Sequence, residues 1–515
     1  MERHGSESYF ILGEGLLAES EGGRTRPLAA AVEAAAPPFR FTRIGPKGAR
    51  LSDSALERVA AAMTSGDRRR ESQIPAGYTY LGQFVDHDLT FDKTAVTLGE
   101  RVTPAQLIQA RSPSLDLDSL YGAGPQDPVS AKFYEDDTHL KMGKTVRFGP
   151  DEAREGFDLP RRTSGAAEER RHAVIPEPRN DENLAVAQTH LGFIRFHNRV
   201  VDKVPSSVPQ AQRFVRARER VVKHYQWMLR HDYLPRICDG AVVRDVFANN
   251  RKVFEVGAAP TDVPTMPIEF SAAAFRLGHS MVRDEYNWNK RFDFGSGFLD
   301  FLFDFSGLSG DLGGNPRLPS NWIADFRRLY NFGEADRDDL KVPAAQFNRA
   351  MRIDTSLVRT LRRLRGVTPG ETRNLGLRNL TRAKMLRLAT GQQMARFMRS
   401  KGVAVTTLTK AQIKNGSNGA ELEKLTAAQR DAFLRDTPLW FYILREAELG
   451  GGKLRGVGAR LVAETFHRAM EGSEFSIVRE PTWRPTLGPD STTFRMVDLL
   501  LFAANGRKSV IAPLG

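Results

Sequence analysis

One hydrophobic period runs almost unbroken from Asn180 to Arg230. Leu184, Val186, Leu191, Ile194, Val200 and Val201 recur at helical spacing, continuing to Val204. A second stretch, roughly 209–230, offers Val215, Val222, Tyr225, Trp227 and Met228 as apolar surface. Helical spacing also fits 54–63, 271–283, 319–330, 356–364, 380–400, 410–414, 426–434 and 454–471, while strand candidates are few and short. The pattern predicts a mainly α fold with long loops and little β structure.

With 515 residues the chain can bury a large core. Length alone suggests two or more domains; a single large helical domain, 51–515, suits the pattern better. Residues 1–50 read as an irregular arm, punctuated by Gly13-Glu-Gly15, Gly22-Gly23, Pro37-Pro38 and Gly45-Pro46. Residues 91–130 and 145–180 read as loops. The net charge is +13, but 62 acidic residues stand against 75 basic ones. Arg68-Arg-Arg70 and the 161–171 run are solvated faces rather than nucleic-acid grooves, and no nucleic-acid motif is present. Cys238 has no partner for an intramolecular disulfide. There is no secretory signal pattern and no apolar run long enough for a bilayer. The expectation is a soluble, cytoplasmic protein, with signal-less export as the alternative and the oligomeric state open. Walker A, HExxH, GxSxG and paired CxxC motifs are missing.

The polar residues that interrupt the pattern carry more. After the turn signal Pro75-Ala-Gly77, a helix from about Leu81 puts Gln83, Asp86 and His87 on one face. Phe84 and Leu89 argue against a solvated helix. An amide, a carboxylate and an imidazole on a buried face are costly unless each has a partner or a task. An ordinary hydrogen-bonded histidine is the bland alternative. Arg179-Asn-Asp-Glu182 stands directly before the long apolar helix. Asn180 or Asp181 is placed to cap it and Glu182 to favour its dipole. Capping leaves Arg179 unexplained, a cation at the wrong helix end. Phe275-Arg-Leu-Gly-His279 lies in a helix begun by Ser271-Ala-Ala-Ala274. Gly278 there costs about 1 kcal/mol against alanine, which points to close approach by another group. A packed core histidine competes with that reading. Asn379 and Arg382 sit at i, i+3; an amide fixes a histidine tautomer and an arginine binds a carboxylate.

Taken in order and spacing, these four segments resemble the signature of the animal-type haem peroxidases, the peroxidase–cyclooxygenase superfamily. The likeness covers roughly residues 75–400, and the haem-site motifs are similar to those of myeloperoxidase and lactoperoxidase. It implies haem b, with His279 as axial iron ligand, Asn379 accepting its other ring N–H, and Arg276 and Arg382 at the propionates. On the opposite face it implies His87 as the acid–base group, Arg179 as the stabiliser of developing charge, and Gln83 lining the distal cavity. The implied activity is reduction of hydrogen peroxide to water through a ferryl intermediate, with halides or small organic donors as reductants, in the response to oxidative stress. Asp86 and Glu182 match the family's ester-forming positions. Asn183 stands where myeloperoxidase has its sulfonium-forming methionine, so at most two ester bonds and no sulfonium are expected. Hydrogen bonding without a covalent link is the alternative.

Ser112, Ser114, Asp116 and Asp118 alternate with Pro113, Leu115 and Leu117. In an extended segment one side would offer hard oxygen ligands, which suit calcium. The family has a calcium site here, completed by the acid after the distal histidine, which maps onto Asp88. Oxygenase members carry a tyrosine three residues before the proximal histidine; Arg276 stands there, favouring a plain peroxidase. A fatty-acid dioxygenase is the alternative, and a basic binding protein without haem is a third. Residues 400–515 lie outside the motifs and are expected to complete the same domain.

Overall fold

The computed structural model describes residues 8–11, 15–18, 39–66, 70–94, 96, 98–364 and 372–515. They form a mainly α fold, as the periodicity predicts. Strands pair only in twos among the described residues. Helices at Asp53–Met63, Leu184–Asp202, Gln210–Met228, Lys410–Asn415, Ala427–Arg435 and Gly456–Glu471 fall where apolar spacing places them. Among these residues no helix is long and apolar enough to cross a membrane.

Several expectations need correction. The stretch 319–330 holds only short 3-10 turns, Ser320–Trp322 and Phe326–Arg328, and 356–364 holds one, Arg359–Arg362. The apolar spacing of the first belongs to a buried loop whose carbonyls are taken by side chains. Asn289 Nδ2 donates to Asn321 O (2.9 Å) and Ile323 O (2.8 Å), and Trp288 Nε1 to Trp322 O (2.8 Å). The expected helix over 380–400 is two, Leu375–Met385 and Gly391–Ser400, the second opened by a Thr390 capping box. The expected helix over 271–283 is broken into Ile268–Ser271, a 3-10 turn Ala274–Leu277, and Gly278–Met281. Ala273, at φ −144° and ψ −68°, leaves the helical region despite the alanine run. Tertiary contacts override propensity there. Glu269 accepts from Ile44 N (3.0 Å) and Gly45 N (2.9 Å), and Ser271 O accepts from Arg276 Nε (3.0 Å).

Not all of the N-terminal stretch is irregular. Ser8–Ile11 and Gly15–Ala18 pair antiparallel, and Phe41–Thr42 pairs in parallel with Met266–Pro267. The Gly22-Gly23 and Pro37-Pro38 signals lie outside the described residues, as do Arg68 and Arg69. At the other end, Gly456–Glu471 packs on Gly240–Asn249 and Leu439–Leu449, and Met496–Ala503 packs on Leu184–Asp202.

The helix Gly77–Leu89 is buried over its whole length. It packs against Leu184–Asp202, with Phe84 stacked on Phe193 at 4.4 Å and edge-on to Tyr225 at 6.4 Å. Its first turn lacks a side-chain cap, so other elements satisfy it: Gly77 N donates to Leu329 O (2.9 Å), and Tyr330 OH donates to Gly77 O (2.9 Å). Tyr78 OH donates to Asp232 (2.7 Å), and the Tyr80 and Tyr286 hydroxyls lie 2.7 Å apart. Thr90 ends the helix in an extended conformation, its hydroxyl returning to Asp86 O (3.0 Å). Gly82 is where this helix meets Tyr233: a Cβ there would lie 2.3 Å from the Tyr233 hydroxyl. Overpacking costs about 1–3 kcal/mol, against the ~1 kcal/mol that alanine gains over glycine in a helix. Gly82→Val, larger still and β-branched, is therefore expected to lower the urea midpoint with an unchanged m-value.

Candidate functional site

His87 is fully buried on the inner face of Gly77–Leu89. Its Nδ1 lies 2.8 Å from Asn180 Oδ1. Its Nε2 is buried without a hydrogen-bond partner, 3.7 Å from Glu182 Oε1. Burial, aided by the Arg179 charge, pushes the imidazole down to about 3, so the ring is neutral. Gln83 is held at both ends of its amide: Nε2 donates to Glu182 Oε1, and Oε1 accepts from Asn183 Nδ2 (3.0 Å). Asp86 accepts from the Thr90 hydroxyl (3.3 Å) through Oδ1, while its Oδ2 is buried without a partner.

Arg179 sits on the 3-10 turn Pro178–Asp181. Asn183, not Asn180 or Asp181, caps the following helix, accepting from Val186 N (3.0 Å). The cation at the wrong helix end is explained by Glu177. Arg179 Nε donates to Glu177 Oε1 (2.9 Å) and Nη2 to Oε2 (2.9 Å), a two-point fork. Nη2 also reaches His87 O (3.1 Å), and the guanidinium lies 4.3 Å over the Phe91 ring. Arg111 Nη2 donates to the same Glu177 carboxylate (2.6 Å). Burial pushes Glu177 up, but Arg179 and Arg111 outweigh it and hold the carboxyl well below its usual range. Spacing gives no signal for these partners. Glu177 and Arg179 are two apart, a separation that faces nothing on a helix, and Arg111 lies in a stretch read as loop. His190, whose Nδ1 lies 2.9 Å from Asn180 Nδ2, was hidden inside the apolar helix.

His279 is 4% exposed, its ring edge-on to Trp440 at 6.4 Å. Gly278 does not mark a close approach: a Cβ there would meet open space. Asn379, fully buried, bridges two predicted residues. Its Nδ2 lies 2.8 Å from His279 Nδ1, and its Oδ1 accepts from Arg276 Nη1. In that orientation the amide donates to His279 Nδ1. An iron-ligating His279 needs the reverse, with Nδ1–H donating to Oδ1, so the amide must turn and Arg276 find another acceptor. Arg382 pairs with Asp92, which the sequence reading left in a loop.

The 112–118 segment is not extended. Leu117 sits at φ 60°, in the left-handed region, and Asp118–Tyr121 is a helical turn. Leu115 and Leu117 are fully buried, while Asp116 and Asp118 are partly exposed, so the leucines pack and the acids do not. Ser114 Oγ turns to Gly472 O (3.3 Å), and Ser112 Oγ accepts from Ser114 N (3.3 Å). Asp88 accepts from the hydroxyls of Ser119 (2.6 Å) and Tyr225 (3.3 Å). Asp116 Oδ1 and Asp118 Oδ1 are buried without partners. Burial, then repulsion from Asp118, pushes Asp88 up to about 7 and Asp116 well up. Among the described residues, however, no three His, Cys, Asp or Glu side chains form a group that could hold a metal ion.

Two further carboxyls face this interior. Burial pushes Asp86 up to about 7, against the pull of Arg179 and Arg276, and Glu182 up to about 8, against Arg179. Asp86 thus feels both the His87 side and the His279 side. Between its unfolded value near ~4 and about 7, the folded chain holds a proton that the unfolded chain has lost. Its contribution is therefore most favourable below the unfolded value and declines as pH rises to about 7. For the haem-free protein, urea midpoints between pH 5 and 8 should show wild type losing stability relative to Asp86→Asn as pH rises.

Residues 73–298 match a family model described as animal haem peroxidase. Peroxidase A from Dictyostelium discoideum shares the fold at TM-score 0.59 and 15% identity, over 92% of this chain and 93% of that one. Fatty acid alpha-dioxygenase from Arabidopsis thaliana aligns at TM-score 0.56 and 12% identity, over 92% and 80%. The enzyme of that name from Oryza sativa aligns at 0.53 and 9%, over 92% and 83%. A search among curated protein sequences gives no match. Residues 73–298 thus carry an animal haem peroxidase domain of the peroxidase–cyclooxygenase superfamily, within a chain that shares its fold with these enzymes.

Proposed function

We propose that this chain is a haem peroxidase that reduces hydrogen peroxide to water while oxidising small organic donors or halides. The observation that carries this is His87: a buried, neutral imidazole whose Nε2 has no hydrogen bond, beside a buried arginine. Superfamily membership implies haem, and the residues fit it. Partnerless Asp86 Oδ2, Glu182 Oε2 and His87 Nε2 belong to one buried cluster, and Gly278 opens on space beside His279. Haem b, when bound, would supply redox-active iron.

In this reading His279 would hold the haem iron and Asn379 would orient its ring. Arg276 and Arg382 would hold the propionates, exchanging their bonds to Asn379 and Asp92 for them. His87 Nε2 takes a proton from hydrogen peroxide and returns it to the departing oxygen, so that water leaves. Arg179 has Nε and Nη2 occupied and presents Nη1 to the charge that develops. Gln83 borders the same space, held between Glu182 and Asn183. Asp86 and Glu182 are the candidates for ester links to haem methyl groups. Asp88, Ser112, Ser114, Asp116 and Asp118 are the residues that would hold a calcium ion. The unpartnered oxygens Asp116 Oδ1 and Asp118 Oδ1 are hard donors of the kind such an ion takes.

The fold likeness to fatty acid alpha-dioxygenases supports a second reading, oxygenation of a fatty acid. Arg276, at the place of the oxygenases' tyrosine, weighs against it. Two assays on the haem-loaded protein discriminate. Peroxide-dependent donor oxidation is expected, and oxygen uptake with palmitic acid in the absence of peroxide would reverse the assignment. His87→Gln is expected to lower peroxidase turnover by about 10²–10⁴-fold with the Soret band retained. His279→Ala should lose the native Soret band itself; normal ligation in that variant refutes the proximal assignment.

A further inference from the structure

We propose that Asn180 and His190 are positioning residues that hold His87 in a single tautomer, with hydrogen on Nδ1 and the lone pair on Nε2. This rests on the reading of His87 as the group that takes the peroxide proton. Three buried side chains form the relay. His87 Nδ1 lies 2.8 Å from Asn180 Oδ1, and Asn180 Nδ2 lies 2.9 Å from His190 Nδ1. All three are 0% exposed, so water does not compete for these bonds.

The amide has one accepting end and one donating end. Its oxygen can only accept, so His87 Nδ1 carries the hydrogen. A neutral imidazole has one N–H, so Nε2 is left as an acceptor, which a proton-abstracting group needs. At the far end the amide nitrogen can only donate, so His190 Nδ1 accepts and its own hydrogen sits on Nε2. Rotating the amide by half a turn would reverse both rings and put hydrogen on His87 Nε2. His87 would then present a donor where the reaction needs a base. His190 Nδ1 thus gives the amide N–H its acceptor when the amide oxygen faces His87, while His190 Nε2 is buried without a hydrogen-bond partner. That ring is itself fixed, edge-on to Phe84 at 5.8 Å, and Phe84 lies on the His87 helix. Neither residue has reason to touch peroxide; both act through His87.

The tautomer can be read directly. Nitrogen-15 histidine spectra of the haem-loaded protein in its diamagnetic ferrous carbonyl form, and of the protein as purified, should show His87 protonated on Nδ1. The resonance is assigned with His87→Gln. Hydrogen on Nε2 overturns the proposal. Cyanide binding to the ferric protein is the second readout, because hydrogen cyanide must also yield its proton to His87. Asn180→Ala should slow cyanide association and the peroxide reaction together by about 10–100-fold, with the Soret band intact. Asn180→Asp, which keeps an acceptor for Nδ1–H, should recover most of both rates. Unchanged rates in Asn180→Ala, or equal losses in both variants, overturn the positioning role. The spectrum needs no turnover, so its outcome is separate from failure of the peroxidase reading, which would appear as absent donor oxidation in wild type.

Discussion

The fork between Arg179 and Glu177 is the interaction on which the rest of the site depends. A guanidinium cannot be buried beside a neutral imidazole unless its charge is answered, because an unpaired buried charge is unaffordable in a low dielectric. Glu177 answers it with both carboxylate oxygens and shares one of them with Arg111. Arg111 lies 3.6 Å from Asp118, so the chain of charges runs from the acidic loop to the backbone of His87. Breaking a buried pair of this kind typically costs about 3–5 kcal/mol. The charges of the loop and of the inner cavity therefore belong to one network.

Around that network the fold supplies two opposed supports. Gly77–Leu89 is a regular helix, buried throughout, which gives His87 a rigid backbone. The His279 side is the opposite, three short turns instead of one helix. The break lets the carbonyl of Ser271 accept from Arg276, and Glu269 tie the segment to Ile44 and Gly45. Asp86 lies where both sides are felt, which is why its carboxyl responds to Arg179 and Arg276 together.

Much of this was legible before any coordinates. Apolar spacing located helices that bury one stripe against the core, as Asp53–Met63 does with Ala55, Leu56, Val59, Ala60 and Met63. The same logic failed at 319–330, where residues are apolar because a loop is buried, its carbonyls satisfied by Asn289 and Trp288 rather than by a helix. At 112–118 the leucines are buried and the acids partly exposed as their alternation suggests, but Leu117 turns the chain through the left-handed region, so the segment is not extended. Gly278 was read as a close approach and instead adjoins open space, a distinction that depends on neighbours far away in the chain.

The sequence by itself determined the helical class, the superfamily resemblance and the chemical cast: two histidines, their arginines and a set of carboxylates in a given order. Those follow from residue type and local spacing, which a single chain displays. Only the tertiary structure decided who partners whom. Glu177 answers Arg179, Asn180 turns from a candidate cap into the partner of His87, His190 joins it from inside an apolar helix, and Asp92 meets Arg382. These are pairings between segments up to hundreds of residues apart. Their energy comes from burial in a low dielectric, which no local pattern records.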